Sequence, residues 1–481
     1  MRHNSTQRSP NTEEVTEWRS LIIVGIIGLV AGIQFSIYFS SLWPYLLQLD
    51  PDASESFFGW ITGIYSLTQA VMSVVFGYCQ NRMQQCRIPI LAGLFTMFLG
   101  NLIYLLCGVN YYSPKVIMLI SRAVTGSGAG VITVVRTYAV NASTVKDRSR
   151  SISLNSGSFT LGLTIGPGIQ VVFAILGYPG IKLVGNLYLD MYTAPAFMCL
   201  IFNGICVFLV VIFLQQHARF FALPKYDMVP IMICIYTRYT QMMVVSNYET
   251  LGTPISMTIF GWNKQQTVLY NSLLHACFGV IGFCIYAIFV YYDVEKIMDR
   301  RISICVGLLA FVAFHLITFP WWFVPGSIPY QKEFINVNGT MIRNPDPVGC
   351  RPSFEWCKTT YQLSPQIYIV SSFLLIGPAL PLITIGMNTV FSTLLGPRNQ
   401  GTMQGVLVLT GSLARMIGPI AVGYLFTEFG PRPAWGMEIV FAGFCTFLWI
   451  YFYKRIVPLK LPQNLNAGDV VRNKYGFVYR F

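Results

Sequence analysis

Long apolar runs, broken by short polar clusters, govern what this chain can fold into. A helix needs about 20 apolar residues to cross roughly 30 Å of hydrocarbon. Runs of that length recur near 20–43, 57–78, 88–108, 115–138, 153–176 and 192–214, and again near 228–250, 266–291, 301–323, 365–391, 403–426 and 434–456. The expectation is an all-α membrane protein of twelve transmembrane helices. Charged residues make up only 11% of the 481 positions, against about 25% in soluble domains, too few to coat a water-soluble fold. The net charge of +13 does not point to nucleic acid, because the basic residues form clusters between the runs and no single stripe. That is how a chain sorts its loops across a bilayer.

An even number of spans puts both termini on one side. Of the 32 Lys and Arg residues, 20 fall on that side, 8 on the other and 4 inside spans. The excess predicts cytosolic termini. The first 19 residues are polar and the run after them is long enough to span, so no cleavable signal peptide is expected. The loop at 324–364 then lies on the exoplasmic side. It holds the sequon Asn338-Gly339-Thr340, a glycosylation site, and Cys350 with Cys357, expected to form a disulfide in an oxidising compartment.

The two sets of six spans echo each other. Trp43-Pro44, Phe58-Gly59-Trp60 and Tyr65-Ser66-Leu67 follow span 1; Thr253-Pro254, Phe260-Gly261-Trp262 and Tyr270-Asn271-Ser272-Leu273 follow span 7. Gly166-Pro167 in span 5 is matched by Gly418-Pro419 in span 11. Duplicated six-span halves are a transporter architecture, with the substrate site near the midplane between the halves. The expected units are a cytosolic segment 1–19, halves at 20–217 and 228–456 joined by a linker at 218–227, and a cytosolic tail at 457–481.

On these residues the chain resembles the major facilitator superfamily. Gly77 with Arg82 and Arg87 is similar to the loop 2–3 motif, Arg122 with Gly126 and Gly128 to the span 4 motif, and Gly162-Leu163-Thr164-Ile165-Gly166-Pro167 to a span 5 motif common in antiporters. Within the superfamily it is most similar to a lysosomal branch. That likeness runs over nearly the whole chain, through Ser41-Leu42-Trp43-Pro44-Tyr45-Leu46, Gly126 to Arg136, Glu249-Thr250, Gly349-Cys350 with Trp356-Cys357, and Gly411 through Arg415 to Pro419. A lysosomal or late endosomal membrane and an anion-related role are what the resemblance implies. Two positions depart from it. Asn81 stands where the loop motif has Asp, which weakens the expected latch between helices, and Arg238 has no counterpart.

A charge inside hydrocarbon costs several kcal/mol, from about 2.5 upward, so intramembrane ionisable residues are functional suspects. Here Arg122, Arg136, Arg238 and Arg415 stand against Glu249, with Glu438 near a span end. A wet cavity lined by excess guanidinium favours anions, because arginine stays charged at any relevant pH. Arg122 and Arg136 lie 14 residues apart, close to a whole number of turns, which would place them on one helix face at two depths; Arg136 could instead snorkel to the headgroups. Glu249, beside Gly252 and Pro254, would serve as a proton sensor if buried. Gln34, Tyr38, Asn271 and Asn388 are further candidates to line the cavity. Gly166-Pro167 and Gly418-Pro419 are candidate hinges. Trp43, Tyr45, Trp321 and Trp322 read as interface anchors, and His275 and His315 as hydrogen-bonded packing residues. Gly126 and Gly130 read as small residues letting helix backbones touch.

No phosphate loop, metal cluster or nucleophile–base spacing is present in the sequence, so neither an enzyme nor a cofactor is expected. In the tail, Tyr475-Gly476-Phe477-Val478 fits the tyrosine-x-x-bulky pattern read by sorting adaptors. The leading expectation is therefore a transport protein moving a small anion such as chloride, by alternating access or a channel-like path. The alternatives are a proton-coupled transporter of an organic solute using Glu249, and a non-transporting membrane scaffold.

Overall fold

The computed structural model describes residues 16–38, 41–50, 55–108, 113–144, 146–184, 187–214, 226–292, 294, 298–324, 326, 328–331, 334–337, 340–343, 348–351, 354–396, 400–457, 470–472 and 478–480. Among them are twelve helices long and apolar enough to cross a membrane. The first six spans are built from α1 (Trp18–Ser36), α3 (Glu55–Met83), α4 (Arg87–Leu105), the pair α5 (Pro114–Ala129) and α6 (Ile132–Asn141), α7 (Arg148–Phe173) and α8 (Ala194–Phe213). The second six are α9 (Met228–Thr258), α10 (Lys264–Tyr291), α11 (Arg300–Ile317), the pair α12 (Pro365–Ser371) and α13 (Gly377–Leu395), α14 (Gly401–Phe429) and α15 (Pro431–Tyr451). A short helix, α2 (Leu42–Leu49), follows α1.

The helix starts follow local chemistry. Pro114, Pro365 and Pro431 open their helices where a missing N–H is harmless. Asp227 and Asp299 accept the first free backbone N–H groups of α9 and α11, and Asn263 with Gln266 forms a reciprocal capping box on α10.

Three expectations need correction here. Span 1 ends near Ser36, not at residue 43; Trp43 and Pro44 belong to α2. Tyr45 is no interface anchor: it is buried, stacked on Tyr192 at 4.9 Å and tilted against Tyr104 at 5.7 Å. Span 4 is two helices. The backbone tightens at Gly130 and Val131, whose N–H groups bond only three residues back, to Ser127 and Gly128. Arithmetic for one unbroken helix therefore does not carry from Arg122 to Arg136.

Small residues set the packing. Gly126 and Gly130 press against the α3 backbone at Tyr65 and Ser73, and Gly128 against Met97 of α4. Gly166 lies against Ser36 and Ile37 of α1, while Gly418 lies against Met243 and Asn247 of α9. The Gly-Pro pairs thus mark equivalent crossings in the two halves, and both helices run unbroken through their prolines.

The halves meet through α3 against α14 and α7 against α10. At the end carrying the chain termini they are tied together. Asn81 bonds Gly401 and Thr402, Ser149 reaches Thr389 at 3.3 Å, and Arg150 donates to the Tyr291 carbonyl at 3.3 Å. Toward the other end, Gly59 and Gly63 of α3 and Gly168 of α7 face open space. The seam between the halves is closed at the terminal end.

At the far end, Cys350 and Cys357 are disulfide-bonded. Their loop is pinned to the bundle: the Gly349 N–H donates to the Met257 carbonyl at 2.9 Å, and the Trp356 indole to the Thr427 carbonyl at 3.2 Å. Trp356 covers Gly430, whose φ of +85° suits glycine. Asn338 lies outside the described residues. Three small hairpins, Ile181–Val184 with Leu187–Leu189, Phe334–Val337 with Thr340–Arg343, and Val470–Arg472 with Val478–Arg480, decorate the loops and tail.

Candidate translocation site

The four intramembrane arginines come from both halves. Arg122 of α5 is 5% exposed. Its guanidinium sits 4.5 Å from the centre of the Tyr65 ring and 5.3 Å from that of Tyr38, within the range of cation–π attraction. Arg415 of α14 lies 5.8 Å from the Phe35 ring, and Phe35 itself is tilted against Tyr65 at 5.4 Å. One arginine from each half is thus joined through an aromatic pair on α1 and α3.

Arg238 of α9 is buried and donates to the Gln241 side chain at 3.2 Å. Gln241 is in turn held by the Leu380 carbonyl and by Thr384 of α13, the latter at 2.6 Å. Room for Arg238 exists because position 411 is glycine; a Cβ there would lie 3.0 Å from the guanidinium Nε. Arg136 of α6 is half-buried. The charges of Arg136, Arg238 and Arg415 act on one another, and Tyr286 of α10 lies within reach of the first two.

No carboxylate among the described residues lies within ion-pairing distance of these four arginines. Among the described residues, buried N–H groups on Arg122 (Nε), Arg136 (Nη1) and Arg238 (Nε) have no acceptor, and none of the four arginines bonds a backbone carbonyl. Arginine does not shed its charge at neutral pH, and a buried charge-bearing donor left without an acceptor is costly. The interior here is a field of fixed positive charge with free donors.

The other expected site residues fall into different places. Gln34 and Tyr38 do not line the gap. They are 0% and 2% exposed and close a network inside the first half. Tyr38 donates to Asn101 at 2.9 Å, Asn101 to Gln34 at 3.0 Å, and Gln34 to Asn203 at 2.9 Å. Glu249 is exposed, without the burial a proton sensor was expected to need; of the two acids in or near spans 7 and 12, Glu438 on α15 is the buried one. Asn271 accepts from Ser256 at 3.3 Å and ties α10 to α9. Asn388 of α13 is buried with its Oδ1 unpartnered. His275 and His315 each turn Nδ1 to the carbonyl four residues earlier, at 2.7 and 2.8 Å. Tyr475 lies outside the described residues, and Val478 starts the last strand.

Sequence reasoning missed Phe35, Tyr65, Gln241 and Tyr286. Charge in an apolar run is a rare signal; tyrosine, phenylalanine and glutamine there are not.

A twelve-helix bundle with duplicated halves, closed at one end over an unneutralised basic interior, defines a polytopic membrane transporter. The chain belongs to the major facilitator superfamily, whose family model matches residues 24–330 and 356–474. It is 26% identical over 483 residues to Major facilitator superfamily domain-containing protein 8 of Xenopus laevis, covering 92% of both chains. Among solved structures it superposes on the human organic anion transporter MFSD10 (TETRAN) with TM-score 0.64 at 15% identity, covering 92% of this chain and 100% of that one. The transporter FucP in its outward conformation gives TM-score 0.64 at 10% identity, with 91% and 99% covered. A bacterial homologue of the iron transporter ferroportin in its outward-facing state gives TM-score 0.65 at 13% identity, over 91% and 99%. At these identities the structural likenesses establish the fold.

Proposed function

We propose that this membrane transporter moves a small anion, chloride being the first candidate, across an endolysosomal membrane. The observation that carries the reading is the set of four interior arginines without a carboxylate among them. A cationic substrate would be repelled by that field and a neutral one would gain hydrogen bonds without opposite charge, whereas an anion supplies both the missing acceptors and the countercharge. Arg122 and Arg415 act as the two arms of the site, one on each half, with Arg238 and Arg136 extending the path toward the terminal end.

The halves, 20–217 and 228–456, rock about the crossings at Gly166-Pro167 and Gly418-Pro419, exposing the arginines to each side in turn. The distribution of Lys and Arg supports cytosolic termini, so the gap described above opens toward the lumen. In that orientation Asn338 is available for glycosylation, and Tyr475 with Val478 faces sorting adaptors in the cytosol.

The test is chloride uptake by the full-length protein reconstituted into liposomes. The reading expects saturable uptake above protein-free vesicles, blocked competitively by other small anions. Uptake indistinguishable from empty vesicles, with a protein shown to be folded, would remove chloride from consideration.

A further inference from the structure

Behind the arginine site, within the second half, α9, α11, α12, α14 and α15 line a cavity of about 20 Å³, room for one water molecule. Glu438 reaches into it from α15. The residue is 3% exposed. One carboxyl oxygen, Oε1, accepts from the Asn247 amide; the other, Oε2, has no partner, and neither does Asn247 Oδ1. The titratable groups that face Glu438 are Tyr248 from α9, His315 from α11 and Tyr368 from α12; α14 contributes Val422 and α15 contributes Trp435. Among the described residues, no lysine or arginine lines the cavity. An ionised carboxylate so placed has one hydrogen bond and no cation, which burial makes costly.

The surroundings link this acid to the arginine site. Asn247 is the residue against which Gly418 packs: a Cβ at position 418 would lie 2.6 Å from Asn247 Oδ1. Its neighbour Ser246 donates to the backbone carbonyl of Arg415 at 3.4 Å. Asn247 therefore bridges Glu438 to the stretch of α14 that holds both Arg415 and the Gly418-Pro419 crossing.

We propose that Glu438 is a proton-binding residue off the translocation path, whose protonation state sets how α9 and α14 pack beside Arg415. The coupling to flux rests on the anion reading above; proton binding itself does not. The carboxylate takes up one proton at Oε2. The neutral acid donates it in a hydrogen bond to a cavity water, which donates to Asn247 Oδ1, so both Glu438 Oε2 and Asn247 Oδ1 gain a partner. Loss of the proton leaves a bare charge that pulls on Asn247 and loosens its seat on Gly418.

Two measurements test this on the full-length protein in lipid. Infrared difference spectra between lysosomal and cytosolic pH should show a protonated buried carboxyl band in wild type that is absent in Glu438→Gln. An unchanged band in that variant overturns the proposal. In liposomes, wild-type chloride flux should differ by about threefold or more between the two pH values. Glu438→Gln should hold the acid-pH rate at both, and His315→Gln should keep the wild-type response. A response lost in His315→Gln and kept in Glu438→Gln contradicts the assignment. Should Glu438→Gln not reach the membrane, Glu438→Asp must shift the midpoint of the band; an unshifted midpoint counts against it. If wild type moves no chloride, the anion reading falls and the infrared result still decides the proton site.

Discussion

The amide of Asn81 donates to the hydroxyl of Thr402 at 2.7 Å, while its oxygen accepts the Gly401 N–H at 2.9 Å. A position where the superfamily motif carries an acid, expected to be weakened by its replacement, still latches the halves through two neutral hydrogen bonds. Gly77 makes this possible by letting the α3 backbone touch Gly401. Asn81→Ala removes both bonds, each worth about 1 kcal/mol net. The closed terminal end should then open more often, by roughly tenfold or more. Distances between spin labels on the terminal ends of α3 and α14 should lengthen, and an unchanged distribution would refute the latch.

Inside the first half, the Tyr38–Asn101–Gln34–Asn203 chain holds α1, α4 and α8 together. Asn101→Ala strands the Tyr38 hydroxyl in the interior, at about 1–3 kcal/mol, and leaves Gln34 Oε1 with only its longer bond from Asn203 at 3.3 Å. The expected result is a clearly lower melting temperature in detergent. Chloride binding by the fraction still folded should be retained, because no arginine loses a partner.

At the terminal end, Asp299 caps α11 and accepts three side-chain bonds from Arg301, whose Nη1 reaches the Tyr453 carbonyl after α15. The Arg301 hydrogen bond holds the Asp299 carboxyl below its ordinary value of 3.8, and burial opposes this. A depressed folded-state value stabilises the protein above the ordinary carboxylate range, and that stability is lost as pH falls through the folded value. Wild type should therefore outmelt Asp299→Asn by a constant margin from neutral to lysosomal pH. The margin should vanish only below about pH 4; a margin already lost at lysosomal pH would contradict the arrangement.

The spans were legible because hydrocarbon allows few backbone solutions: a run of 20 apolar residues must be helix. Their ends were less so. Trp43 and Pro44 continue the hydropathy of α1 although the chain has already turned into α2. The break at Gly130 and Val131 was hidden because glycine in a membrane helix signals close packing as readily as a turn, and Gly130 does both. For the site, the arginines announced themselves by charge. Gln34 and Tyr38 were misplaced because an interior polar side chain satisfied by Asn101 and Asn203 looks, in one dimension, like one that faces water. The exposure of Glu249 and the burial of Glu438 were hidden for a related reason: burial depends on which helices cross at Asn247, against which Gly418 packs from far away in sequence.

Arg122 and Arg415, one from each half and joined through Tyr65 and Phe35, carry the central claim. The most direct test is chloride flux in liposomes for Arg122→Ala, Arg415→Ala and Asn388→Ala, each normalised to folded protein. Loss of a charged contact to an anion at about 2–4 kcal/mol should lower flux at limiting chloride by about 30-fold or more in each arginine variant, with Asn388→Ala retaining most of it. Flux through both arginine variants at the wild-type rate would contradict the account.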